Sequence, residues 1–202
     1  RGSFISATDI EVDSGKEKTK ITAKNTIIAT GSVPVELKSI APFDGELVVS
    51  STEALCFEKV PKKLIVIGGG YIGLEMGSVW SRLGSKVTVI EAQDNILAAM
   101  DQDVIKEMTR TMKKQGLDIL TKTSLKEIKK SKNKVIAVCE TEDGIVEIEG
   151  DKVLVAVGRR ANVEGLGLEK CGVKAKNNNK IIIDEYFKTS QKNIYAIGDV
   201  VD

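Results

Sequence analysis

Three glycines spaced as Gly68-x-Gly70-x-x-Gly73, followed about twenty residues later by Glu91, are the residues whose types and spacing speak most directly of chemistry. A glycine at the first position permits a tight turn off a strand. A glycine at the second leaves the backbone bare for a pyrophosphate, and one at the third lets the following helix approach closely. The helix N-terminus then offers unpaired N–H groups and partial positive charge to phosphate oxygens. Glu91 would accept hydrogen bonds from the adenine-ribose hydroxyls and repel a 2′-phosphate, and no arginine occurs in residues 91–100. The constellation therefore reads as an NAD site rather than an NADP site.

Other chemistries find no support. There is no histidine, which removes the commonest general acid or base. Cys56, Cys139 and Cys171 are widely spaced and form no CxxC pair, so they read as reduced thiols rather than zinc ligands or a disulfide framework. Thirty Lys+Arg against 29 Asp+Glu give a net charge of +1, with no electrostatic case for nucleic acid or an anionic membrane. No apolar run approaches the ~18 residues of a membrane span. No catalytic residue and no metal ligand is expected within these 202 residues.

The elements that position the glycines follow from the hydrophobic pattern. Leu64–Ile67 is a short apolar run suited to a strand buried on both faces. Ile72, Met76, Val79 or Trp80, and Leu83 recur at helical spacing, and Gly84 stands where a left-handed cap would end that helix. Val87–Ile90 is the next strand, completing a βαβ unit. A second helix is expected from Asp101 to Gln115, with Val104, Ile105, Met108 and Met112 as its stripe and Gly116 at its end, then a third parallel strand over Leu117–Leu120. Residues Ser124–Lys129, Lys134–Glu140 and Ile145–Glu149, separated by the turns 131–134 and 142–144, predict an antiparallel meander. Val153–Val157 and Ile194–Ile197 are further strands, and Thr19–Ala29 reads as a strand pair or a strand end. Residues 33–57 carry Pro34, Pro42 and the turn Asp44-Gly45, and read as a connection without strong periodicity.

The stretch from Val66 to Glu91 resembles the pyridine nucleotide–disulfide oxidoreductases, most closely the branch that oxidises dihydrolipoamide. Four other segments fit in order: Ala29–Ser32 is similar to the family's ATG segment, Ala156–Arg160 to its VGRRPN segment (with Ala161 in place of the usual proline), Gly165–Glu169 to the loop after it, and Asn193–Asp199 to its flavin-contacting GD segment. The resemblance implies an α/β fold: a Rossmann-like NAD-binding domain with a parallel sheet and an antiparallel β-meander, over residues 51–181. Parts of an FAD-binding domain would flank it at 1–50 and 182–202.

The resemblance also implies site roles. The NAD site would comprise Gly68, Gly69, Gly70, Tyr71, Ile72, Gly73, Leu74 and Glu91, with Leu125 bordering the adenine and Gly158 leaving room for the nicotinamide. Thr30, Gly31 and Ser32 would lie near FAD, and Asp199 would accept a hydrogen bond from the flavin's ribityl chain or pyrophosphate. Tyr71 has two readings, a ring that shields the flavin or a packing residue. Glu75, placed on the first helix turn, either serves the helix dipole or faces the nicotinamide. The parent reaction would be dihydrolipoamide oxidation through FAD to NAD+, in a homodimer serving the lipoamide-bearing subunits of 2-oxo acid dehydrogenase complexes. Its place would be the mitochondrial matrix, or the cytosol or a plastid according to source. The family's FAD-binding GxGxxG, its Cys-x4-Cys redox disulfide and its catalytic His–Glu pair are not among these residues, so a central fragment, monomeric alone, is expected. Another NAD-using flavoenzyme of the same fold and a non-catalytic NAD-binding module are the alternatives.

Overall fold

The structure, a computed structural model, describes residues 1–132 and 134–202. Two compact units divide the chain after Val33 and after Gly158: one is Arg1–Val33 with Arg159–Asp202, the other Pro34–Gly158. These divisions differ from the boundaries at 50/51 and 181/182 read from the sequence. The first unit opens with β1 (Gly2–Phe4), β2 (Asp9–Asp13) and β3 (Lys18–Thr22), an antiparallel three-stranded sheet. β4 (Thr26–Ile28) and β5 (Ser32–Pro34) follow, so the stretch 19–29 holds the end of one strand and the whole of another.

The second unit contains β6 (Val48–Val49), α1 (Ser51–Ala54), β7 (Lys63–Ile67), α2 (Tyr71–Arg82), β8 (Lys86–Ile90), α3 (Gln102–Lys114), β9 (Asp118–Leu120), the meander β10 (Ser124–Ser131), β11 (Lys134–Thr141) and β12 (Gly144–Gly150), and β13 (Lys152–Val155). Five strands form a parallel sheet in the order β6-β13-β7-β8-β9. The edge strand β6 and the turn of α1 lie in the segment expected to be a plain connection, because two residues of strand are too few to show a period. The meander is present as expected, and Asn133 of its first turn lies outside the described residues.

The alternation of β7 shows why this sheet is stable. Leu64 and Val66 face a core with Leu74, Met76 and Trp80 of α2 and with Met112 and Leu117. Ile65 and Ile67 face a second core with Ile90, Val153 and Val155 and with Val135, Ala137 and Cys139 of the meander. Helices thus cover one face and the meander the other, which is what an uninterrupted apolar strand requires. Each fully buried Leu or Val side chain of these cores contributes ~1.5–3 kcal/mol. The α2 stripe differs from the sequence expectation at Leu83, which is exposed; of the pair Val79 and Trp80 it is Trp80 that is buried, and Gly73, Leu74, Met76, Gly77 and Trp80 form the buried face. In α3, Ile105 and Met112 are buried but Val104 is exposed. Asp101 caps α3 by accepting the Asp103 amide at 2.9 Å, and Gly84 and Gly116 follow the two helices with φ of 106° and 98°.

The chain returns to the first unit through β14 (Arg159–Ala161), α4 (Leu168–Cys171), β15 (Ile194–Ala196) and a 3-10 turn over Gly198–Val200. β15 pairs in parallel with β4, and β14 pairs with β5. Ile28, Ala161, Leu168, Ile181, Ile194 and Ala196 share this unit's core with Phe4.

Candidate functional site

β7 delivers Gly68 to a sharp turn. Its φ is 105°, and a Cβ there would meet the Ala156 carbonyl oxygen at 2.5 Å. Gly73 is held as closely: its Cβ would lie 2.1 Å from the Gly68 oxygen and 3.1 Å from Val66 Cγ1. The first turn of α2 therefore sits directly against the strand end. Gly70 is the opposite case, since a Cβ would meet nothing within 4 Å. Gly70 is also the N-cap of α2, and no side chain caps it. The helix has no acid in its first turn. Its leading N–H groups and their partial positive charge face open space, the arrangement that receives a phosphate.

Glu91 stands at the end of β8 and is tied into this loop. Its Oε2 accepts the Gly69 amide at 2.7 Å and its Oε1 accepts the Gln93 amide at 2.8 Å. The Gly69 carbonyl in turn accepts the Leu97 amide at 2.9 Å, and the fully buried Ile96 lies beneath, with its Cγ2 2.8 Å from where a Gly69 Cβ would stand. The Gly69 peptide is fixed at both ends, so the remaining carboxylate lone pairs keep a fixed direction. A carboxylate has about four acceptor sites, and two are used here. The loop thus fits a dinucleotide: bare backbone at Gly70, an uncapped helix for the pyrophosphate, and an oriented acceptor for a ribose diol.

The other expected residues of this unit fall as follows. Tyr71 is the first residue of α2 and is 59% exposed. Ile72 is half-buried against the helix-side core, and Leu74 is buried in it. Glu75 is exposed and is the fifth residue of α2 rather than part of the first turn, so the helix-dipole rationale for it does not hold. Leu125, on β10 opposite Cys139, packs against the core cluster that includes Ile90 and Cys139. Gly158 has φ 139°, and its carbonyl accepts the Val35 amide at 3.0 Å.

In the first unit, Thr30, Gly31, Ser32 and Asp199 come together. Ser32 Oγ donates to Asp199 Oδ2 at 2.8 Å. Two residues that sequence reasoning gave no role complete the cluster. Arg159 Nε donates to Ser32 Oγ at 2.6 Å and its Nη2 to the Ser32 carbonyl at 2.7 Å. Asn162 exchanges bonds with Thr30, whose Oγ1 donates to the Asn162 carbonyl at 2.7 Å, and the Asn162 amide donates to the Gly31 carbonyl at 2.9 Å. Beside them a cavity of about 440 Å³ is lined by Phe4, Thr26, Ala29, Thr30 and Asn162, among others. Thr26 Oγ1 is buried there without a hydrogen-bond partner among the described residues. The second oxygen of Asp199 has no partner among the described residues, and a carboxylate acceptor of this kind fits a hydroxyl of a polyol such as the flavin's ribityl chain.

The sequence model of the family described as pyridine nucleotide-disulphide oxidoreductase matches residues 3–202. This chain belongs to that family. Among curated pyridine nucleotide-disulphide oxidoreductases, dihydrolipoyl dehydrogenase 2, mitochondrial, of Arabidopsis thaliana is 42% identical over 203 residues, covering 99% of this chain and 40% of that protein. Dihydrolipoyl dehydrogenase of Trypanosoma brucei brucei is 45% identical over 192 residues, covering 93% of this chain and 40% of the other. Among solved structures, LpdA from Mycobacterium tuberculosis superposes with a TM-score of 0.88 at 27% identity, over 100% of this chain and 44% of that one. The chain thus spans about 40% of the length of the curated relatives it matches.

Proposed function

We propose that this chain supplies the NAD-binding site and flavin-contacting segments of a dihydrolipoamide dehydrogenase. The observation that carries the reading is the glycine loop with its uncapped α2 N-terminus and the Glu91 carboxylate bonded to Gly69. The backbone of Gly68–Gly73 takes the pyrophosphate, with Ile72 and Leu74 seating the helix. Glu91 takes the adenine ribose, Leu125 borders the adenine, and Gly158 clears the nicotinamide. Exposed Tyr71 and Glu75 are left available to the cofactor's reactive end. Thr30, Gly31, Ser32 and Asp199 take FAD. When bound, FAD would supply the two-electron redox chemistry that links a dithiol to NAD+.

The whole reaction converts dihydrolipoamide and NAD+ to lipoamide, NADH and a proton. Its dithiol half calls for a redox cysteine pair and a base. The two buried cysteines, Cys139 and Cys171, and the exposed Cys56 do not form such a pair, and the sequence has no histidine. This chain's share is therefore cofactor binding. The partners of the parent activity are the lipoamide-bearing subunits of 2-oxo acid dehydrogenase complexes, and the parent works as a homodimer. The name of the Arabidopsis relative places that protein in the mitochondrion, and the matrix is the proposed site of action here.

A calorimetric titration of the chain with NADH and, separately, with NADPH tests the reading. Binding of NADH with clear preference over NADPH is the expected result. Equal affinity for the two removes Glu91 from the specificity argument, and no binding of either overturns the reading of the glycine loop as an autonomous site.

A further inference from the structure

The contacts of Arg159, Ser32 and Asp199 have a direction. Arginine carries donors and no acceptors, so its Nε must donate to Ser32 Oγ across their 2.6 Å contact. The serine hydroxyl has a single proton. With its acceptor side engaged by Arg159, that proton goes to Asp199 Oδ2 at 2.8 Å. The second guanidinium bond, from Nη2 to the Ser32 carbonyl at 2.7 Å, fixes the plane of Arg159 on the same residue. A lysine ammonium has no such fork. Asp199 Oδ1 has no partner among the described residues.

We propose that Arg159 and Ser32 are positioning residues that act as a relay, holding Asp199 with one oxygen engaged and the other presented to a hydroxyl of the flavin's polyol chain. This deepens the flavin reading given above and rests on it. Asn162 completes the device from the other side, clipping Thr30 and Gly31, so that Thr30, Gly31 and Ser32 are each bonded to residues of the segment Arg159–Asn162. The turn that carries the serine cannot then drift from the carboxylate it serves. A purely structural clip would hold the turn but leave the direction of Asp199 unaffected.

The test uses the full chain with two readouts: the carboxyl 13C resonance of Asp199, and FAD affinity from quenching of flavin fluorescence. The variants are Arg159→Met, Arg159→Lys, Ser32→Ala, Ser32→Thr and Asp199→Asn. The relay predicts that Arg159→Met and Ser32→Ala each move the Asp199 resonance, and that the double variant moves it no further than either single. It predicts an affinity loss of about tenfold in each, the size expected for one hydrogen bond to a charged group. Ser32→Thr, which keeps the hydroxyl, restores both readouts, and Arg159→Lys does not. An unmoved Asp199 resonance, or additive effects in the double variant, overturns the relay. So does an affinity loss in Asp199→Asn that Arg159→Met and Ser32→Ala do not share, and in that outcome the flavin reading of Asp199 stands. If the wild-type chain fails to bind FAD, the ligand half of this proposal falls for the chain alone, while the resonance still decides whether the relay exists.

Discussion

The Glu91 carboxylate accepts the amide of Gly69 at 2.7 Å, so the residue read as a cofactor-specificity group is also a brace of the loop proposed to bind the phosphates. The two tasks are chemically coupled. The second oxygen accepts the Gln93 amide, and the backbone amides of Gln93 and Gly69 require acceptors at both ends of the side chain. Glu91→Gln keeps the length but turns an NH2 group toward one of them. It is expected to cost about 1–2 kcal/mol, seen as a lower Tm, as well as to weaken NADH binding. Glu91→Arg is expected to weaken NADH and improve NADPH binding while lowering Tm further. An unchanged NADH to NADPH ratio by calorimetry would show that the carboxylate serves the loop alone.

The glycines of the loop separate binding from folding. Gly70 borders open space, so Gly70→Val is expected to abolish dinucleotide binding while circular dichroism and Tm stay near wild type. Gly73→Ala places a methyl 2.1 Å from the Gly68 oxygen and must push α2 off the strand end. A destabilisation of about 2–4 kcal/mol is expected, with the loss of binding secondary to it. Retained NADH affinity in Gly70→Val would mean that the pyrophosphate lies elsewhere.

The glycine loop was legible because each of its requirements is local: a strand, a turn and a helix start within ten residues, and an acid one strand later. Asp101 and Gly116 marked the ends of α3 for the same reason. Of the alternatives Val79 and Trp80, Trp80 is the buried one, and the α2 stripe was misread at Leu83 because apolar spacing counts large side chains, whereas the buried face here is built partly from Gly73 and Gly77, which carry no apolar signal. β6 escaped notice because its two residues are strand only through pairing with β13, about a hundred positions later. Arg159 and Asn162 are a similar case. Their partners, Ser32 and Thr30, lie 127 and 132 residues away, and no local pattern encodes such a contact.

Asp44 should leave a signature in acid. Burial pushes its carboxyl up, but the hydrogen bond from Lys130 and the amides of Val48, Glu46 and Leu47 outweigh that and hold it down to about 2. A carboxyl depressed in the native state stabilises it above the unfolded value near 3.8, and that contribution fades as pH falls toward 2. Asp44→Asn is therefore expected to cost about 1–2 kcal/mol at pH 7, after allowance for solvent screening. The gap from wild type should close between pH 4 and pH 2. Urea melts of both proteins across that range check it, and a gap that persists at pH 2 would assign the cost to packing instead of charge.

The three cysteines should differ sharply in reactivity. Burial pushes the Cys139 thiol up to about 11, and Cys171 is raised by burial as well, with its Sγ 3.3 Å from the Leu168 carbonyl. Both lie in cores, Cys139 between the meander and the parallel sheet and Cys171 in the first unit. Thiolate is the reacting form, so neither position offers it or offers access. Cys56 is exposed. Titration of the native chain with an aromatic disulfide at pH 8 is expected to release one equivalent rapidly, and the denatured chain three. Rapid reaction of a second thiol in the native chain would mean that one core opens on the timescale of the assay. A Cys139→Ser variant then identifies which, because loss of the second equivalent assigns the opening to the meander, and its persistence assigns it to the core around Cys171.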